Sequence, residues 1–128
     1  MIAKLFWLGI AGSLGTLARY TTSGLVHRIA DGAFPWGTLT VNAVGCFVAG
    51  LFWAISEYHL SISGELRSIV LIGFFGAFTT FSSLMIETAE LARANEMVAA
   101  LKNVALQNVL GALCLALGIF LVRSLKGG

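Results

Sequence analysis

The stretch G-F-F-G-A-F-T-T-F-S-S, Gly73 to Ser83, lies in the middle of an otherwise apolar segment running from about Leu66 to Ala92. That segment is long enough to cross a bilayer, because about 20 residues rising ~1.5 Å each span the ~30 Å hydrocarbon core. Its middle does not suit a plain helix. Gly73 and Gly76, the phenylalanines and the hydroxyl residues Thr79, Thr80, Ser82 and Ser83 stand where an ordinary spanning helix carries Leu, Ile and Val, and they weaken helix propensity. The pattern predicts a helix that unwinds near Gly76 to Thr80 and then resumes. Unwound backbone at membrane depth must be buried in protein, line a wet cavity or hold an ion, since hydrocarbon offers its N–H and C=O groups no partner. Freed carbonyls suit a small hard cation, and hydroxyls beside them can donate to an anion. Glycine and hydroxyl residues also occur in membranes simply to let helices pack closely. The concentration of Phe and hydroxyls in one short stretch favours the break over that reading.

Composition agrees with a membrane setting. Of 128 residues, 58% are hydrophobic and 11% charged, with a mean hydropathy of +0.91, well outside the range of soluble domains. A net charge of +2 without any basic run argues against a nucleic-acid surface, so no nucleic-acid partner is expected. Cys46 and Cys114 lie deep in apolar segments at a spacing that fits no metal or redox motif. His27 and His59 fall in linkers, which leaves no histidine-based metal cluster or proton relay.

Four apolar segments follow one another: about Ile2 to Val26, Gly37 to Tyr58, Leu66 to Ala92 and Val98 to Val122. The expected fold is therefore all-α, a single four-helix transmembrane domain over residues 1–128 with the third helix broken mid-membrane and both termini on one side. The linkers are too short for a separate fold. Lys4 and the apolar run after it resemble a signal peptide, but the run continues through Ala18 to Arg19 without a small-residue cleavage site, so a first spanning helix is expected.

In the first segment Gly9, Gly12 and Gly15 form a flat stripe suited to close packing. Arg19 has two readings, snorkelling to the interface or attracting anions at a vestibule. Asn42, inside the second segment, must be paired, either with a neighbouring helix or with a permeating ligand. In the last segment Lys102 and Asn103 are placed at the interface, while Gln107 and Asn108 reach inward and need partners. Glu87 and Glu90 are read as a solvated helix end. Of the eight Lys and Arg residues, Lys4, Arg67, Arg123 and Lys126 fall on one side and Arg19, Arg28, Arg93 and Lys102 on the other. Orientation follows the bias in such residues. With none, the chain can insert both ways and pair with an inverted copy of itself.

In G-S-L-G-T-L-A-R-Y (Gly12 to Tyr20), G-T-L-T-V-N (Gly37 to Asn42) and G-F-F-G-A-F-T-T-F-S-S the chain resembles the small Fluc/CrcB fluoride channels. The resemblance implies an antiparallel dual-topology homodimer in the bacterial plasma membrane, with two fluoride pores and a structural, non-transported Na+ at the dimer centre. It implies sodium ligation by the backbone carbonyls of Gly76 and Thr79. The pore candidates that follow are Asn42, Phe78, Phe81, Thr80, Ser82, Ser83, Asn108 and Arg19. Two positions depart from the family pattern. Leu84 stands where a second pore phenylalanine is expected and Ala112 where many members carry a hydroxyl, which leaves one half of a heterodimer, or a homodimer with altered conduction, as the alternatives. The implied function is passive fluoride export that relieves toxicity.

The residue chemistry agrees, because a pore for a strongly hydrated anion must replace water with amide, hydroxyl and aromatic-edge donors. A small multidrug-type proton-coupled exporter is the main alternative. It needs a membrane-buried carboxylate, yet no acid precedes Asp31 and the others lie near segment ends. A purely structural subunit leaves the donor-rich break unexplained. An enzyme is least supported, since no nucleophile, base and orienting group converge.

Overall fold

The computed structural model describes residues 1–125, so Lys126, counted above in the charge balance, lies outside the described residues. Every regular element among them is helical: α1 Ile2–Ile29, α2 Trp36–Tyr58, α3 residues 64–78, α4 Phe81–Arg93 and α5 Met97–Ser124. Three stretches, Trp36–Tyr58, Gly64–Arg93 and Met97–Ser124, are long and apolar enough to cross a membrane. At 28 residues α1 is also long enough, but its glycines, hydroxyl residues and Arg19 make it less apolar. Leu5, Leu14, Leu17, Ile72, Ile86, Leu113 and Phe120 all project from the surface. That is expected where the solvent is lipid rather than water.

The third stretch is broken, more sharply than the expected Gly76 to Thr80. Gly76 keeps helical angles (φ −63°, ψ −31°), whereas Thr79 and Thr80 are extended, with ψ 155° and φ −147° respectively. The Thr80 hydroxyl restarts the helix by accepting from the Ser83 N–H at 3.1 Å, as an N-cap side chain does. Before the break, Ile69–Phe75 widens into π-type turns. Such turns are rare and concentrate near functional sites. At the other end of α4, Asn95 takes φ 62°, with Glu96 N–H bonded to Leu91 O at 2.9 Å and Asn95 N–H to Ala92 O at 3.1 Å. This pair of bonds is a Schellman closure, and it turns the chain into α5 within three residues.

Glycines set how closely the helices approach. A Cβ on Gly15 would strike the Phe74 carbonyl of α3, and one on Gly118 would strike Phe47 O and, at 2.9 Å, Leu51 N of α2. Gly45 admits the break itself, since its Cβ would meet the side chains of Thr79 and Phe78. The expected packing stripe on α1 is therefore realised at Gly15 and, more loosely, at Gly12; nothing lies within 4 Å of a Cβ at Gly9. Gly50→Val is expected to abolish recovery of folded protein, because its Cβ would sit on the Leu115 backbone and overpacking against backbone has no rotamer to relieve it. Gly9→Ala is the matched control. Size-exclusion chromatography in detergent checks both; a monodisperse Gly50→Val peak at wild-type yield would mean the α2–α5 crossing is looser than described.

Candidate functional site

The break rests on Asn42. Its Oδ1 accepts the Thr80 N–H at 2.7 Å, and its Nδ2 donates to Thr80 O at 3.1 Å and to Gln107 Oε1 at 2.6 Å. Asn42 and Gly45, two residues of α2 that meet the break, lie three apart and so share a face. One amide thus satisfies the backbone of the residue where the chain is most extended, which is how irregular backbone survives at membrane depth. Both readings of a membrane asparagine, structural brace and polar lining, meet in this side chain.

The carbonyls before the break are in a different state. In a continuous helix Gly76 O would accept from Thr80 N–H and Thr79 O from Ser83 N–H. Here Thr80 N–H goes to Asn42 and Ser83 N–H to the Thr80 hydroxyl. Both carbonyls are thereby released from the helix ladder.

Two clefts have Thr80 in their walls. The outer one, about 450 Å³, is lined by Arg19, Tyr20, Ser23, His27, Thr38, Thr80, Ser83 and Glu87 among others. The inner one, about 180 Å³, is lined by Asn42, Cys46, Thr79, Thr80, Phe81, Leu84, Gln107 and Asn108. Of the sequence candidates, Arg19, Thr80 and Ser83 therefore line the outer cleft, and Asn42, Thr80, Phe81 and Asn108 the inner. Leu84 takes its place in the inner wall. Phe81 is 66% exposed, so its ring is available to whatever covers this face. Phe78 lines neither cleft. It is buried and stacks on Phe74 with ring centroids 6.0 Å apart and planes 7° apart. Ser82 lines neither as well, and its hydroxyl sits 3.2 Å from that of Thr80.

Three polar residues differ from their sequence reading. Asn103 is fully buried instead of interfacial, because its amide bonds Thr88 Oγ1 at 3.0 Å and accepts from Gln107 at 2.8 Å. Asn108 does not turn into the core. It is exposed and bonded to Val104 O of its own helix at 2.8 Å. Glu87, read as a solvated end, is half-buried in the outer cleft and accepts a hydrogen bond from the Thr38 hydroxyl. Its other oxygen and the Nε of Arg19 are shut from solvent with no hydrogen-bond partner, so the wall of the outer cleft carries both a basic and an acidic side chain. The spacing of four between Asn103 and Gln107 is the signal that could have revealed the buried pair.

Comparison with known proteins covers all of these positions. A family described as "CrcB-like protein, Camphor Resistance (CrcB)" matches residues 6–119. A "Fluoride-specific ion channel FluC" from Nitrosococcus oceani is 48% identical over 118 residues, 92% of this chain and 94% of that protein. Proteins of the same name from Desulforapulum autotrophicum and Salinibacter ruber are 48% and 41% identical over 94% and 98% of this chain, and 96% and 93% of their own lengths. With the helix break, Asn42 and both clefts inside the matched residues, this chain belongs to the CrcB-like protein family.

Proposed function

We propose that this chain is a fluoride-selective channel of the bacterial plasma membrane that lets fluoride leave the cell passively and so relieves its toxicity. The observation that carries the reading is the pair of clefts that share Thr80 in their walls, lined by amide and hydroxyl donors where an apolar span would have none. Fluoride enters beside Arg19, passes the Thr80 and Ser83 hydroxyls and reaches Asn42, Phe81 and Asn108. Hydroxyl and amide N–H groups replace its hydration shell, and the ring edge of Phe81 presents positive potential. The full relatives named fluoride-specific channels support the same reading. The proton-coupled exporter finds no such support. Glu87, the one carboxylate in the clefts, is bonded to Thr38 towards the end of the span rather than at its middle.

In this reading α1 is the fourth span, and the working unit is an antiparallel dual-topology homodimer. Its Na+ would be held by the carbonyls of Gly76 and Thr79. These are hard oxygen ligands released from the helix ladder, chemistry that fits a hard cation; two from each of two copies would make a site on the two-fold axis. When bound, the ion supplies the positive charge that the freed carbonyls lack. Gly76 and Phe81 are both exposed on the single chain, as residues at a dimer axis must be.

Purified protein in liposomes should release fluoride rapidly and chloride at background rate. Equal rates for the two anions, or none for fluoride, would refute the channel. A cysteine introduced at one terminus should be labelled from both sides of the membrane; labelling from one side only would rule out dual topology.

A further inference from the structure

The buried amides beyond Asn42 form one chain whose direction is fixed at both ends. Leu84 O can only accept, so the Thr88 hydroxyl donates to it at 2.7 Å. With its proton committed, Thr88 Oγ1 must accept from Asn103 at 3.0 Å. The carbonyl of Asn103 then faces Gln107 and accepts from it at 2.8 Å. Gln107 is left with its own carbonyl towards Asn42, whose Nδ2 donates to it at 2.6 Å. Starting instead from the Thr80 N–H, which can only donate, Asn42 Oδ1 must face Thr80, and the same orientation results. An amide that could otherwise flip end for end has one allowed setting at each link.

Asn42 has two N–H groups. Gln107 takes one in a short bond, while the other makes the longer 3.1 Å bond to Thr80 O on the wall of the inner cleft. The longer bond is the one an anion in that cleft displaces more readily. Gln107 is 5% exposed and Asn103 fully buried, so neither can substitute water for a lost partner without penalty.

Resting on the channel reading, we infer that Gln107, held by Asn103 and Thr88, is a positioning residue that anchors one N–H of Asn42 and aims the other at the permeating anion. It works by orientation. Asn42 could not both brace Thr80 and face the cleft if its amide were free to turn.

A stability role and a positioning role are separated by two variants in liposome efflux and thermal unfolding. Gln107→Leu strands the Asn103 carbonyl and should lower both stability and flux. The double variant Gln107→Leu/Asn103→Leu removes both partners of the Asn103–Gln107 bond, which for that bond is nearly neutral when the shapes match, while one Asn42 N–H is left unpaired in both variants. Its melting temperature should return towards wild type while fluoride flux stays at least tenfold down, with a raised half-saturating fluoride concentration. Wild-type flux in a stable double variant overturns the proposal and leaves the relay purely structural. Should that variant not fold, Gln107→Glu decides. The protonated carboxyl introduced at 107 can donate to Asn103 and accept from Asn42, whereas the ionised one cannot donate. Its flux relative to wild type should therefore rise as pH falls from 8 to 5; a ratio constant across that range overturns the proposal. Absence of fluoride flux from the wild type would overturn the channel reading itself, which distinguishes the two failures.

Discussion

Asn42→Ala will reduce fluoride efflux to background and, in the same protein, lower the melting temperature. Both effects follow from the bonds of one amide. Removing it takes the N–H that faces the inner cleft and leaves Thr80 N–H, Thr80 O and Gln107 Oε1 without their partner. Each buried polar group orphaned in this way costs about 1–3 kcal/mol. Partial relief by entering water leaves a net loss of about 2 kcal/mol, or roughly 5 °C or more for a chain of this size. The sequence alone, treating Asn42 as a pore donor, leads one to expect a folded and inactive variant; the geometry requires a folded, weakened and inactive one. The two readouts divide the roles. Lost flux with unchanged melting would mean that Thr80 finds another brace, while wild-type flux with lowered melting would remove Asn42 from the anion path.

How much of this was legible beforehand depends on which physical signal carries each feature. The break was readable because hydroxyl and glycine residues are out of place in a span, and Asn42 because an amide in lipid must be paired. The exact turn was not, since Gly76 invites unwinding yet keeps helical angles while the two threonines extend. Nothing in I-V-L-I-G-F-F marks the π-type turns of residues 69–75. Helix faces were harder to read. In water an apolar stripe points inward, but in a membrane both lipid-facing and protein-facing surfaces are apolar. On α5 the inward face is Asn103, Gln107 and Gly118, and Asn108 lies off it. Neighbouring Lys102 drew Asn103 towards the interface, whereas the amide pair at i and i+4 was the better guide. Glu87 was misplaced for a similar reason: proximity to a helix end does not reveal that Thr38 of α2 faces it.

Exchanging sodium for a large organic cation will lower the melting temperature of the wild-type protein, and Gly76→Val will erase that difference. An ion that binds only the assembled native state stabilises it by mass action, about 2.7 kcal/mol when present at a hundredfold its dissociation constant. The variant tests the site with unusual economy because Gly76 has no crowded neighbour in its own chain. A Cβ there meets nothing nearer than Leu71 O at 3.8 Å, and valine is no worse than glycine in a helix. Damage would therefore trace to where the proposed second copy approaches or to where the Gly76 carbonyl is aimed. Thr79→Ser is the counterpart, since serine keeps the hydroxyl that donates to Phe75 O at 2.9 Å and leaves the main-chain carbonyl in place; its sodium dependence should survive. Thermal unfolding of all three proteins in sodium, potassium and N-methylglucamine buffers, with fluoride efflux measured in parallel, gives the comparison. Equal stability of the wild type in all three buffers would sink the cation site, and a Gly76→Val protein that still melts higher in sodium would move it away from these carbonyls.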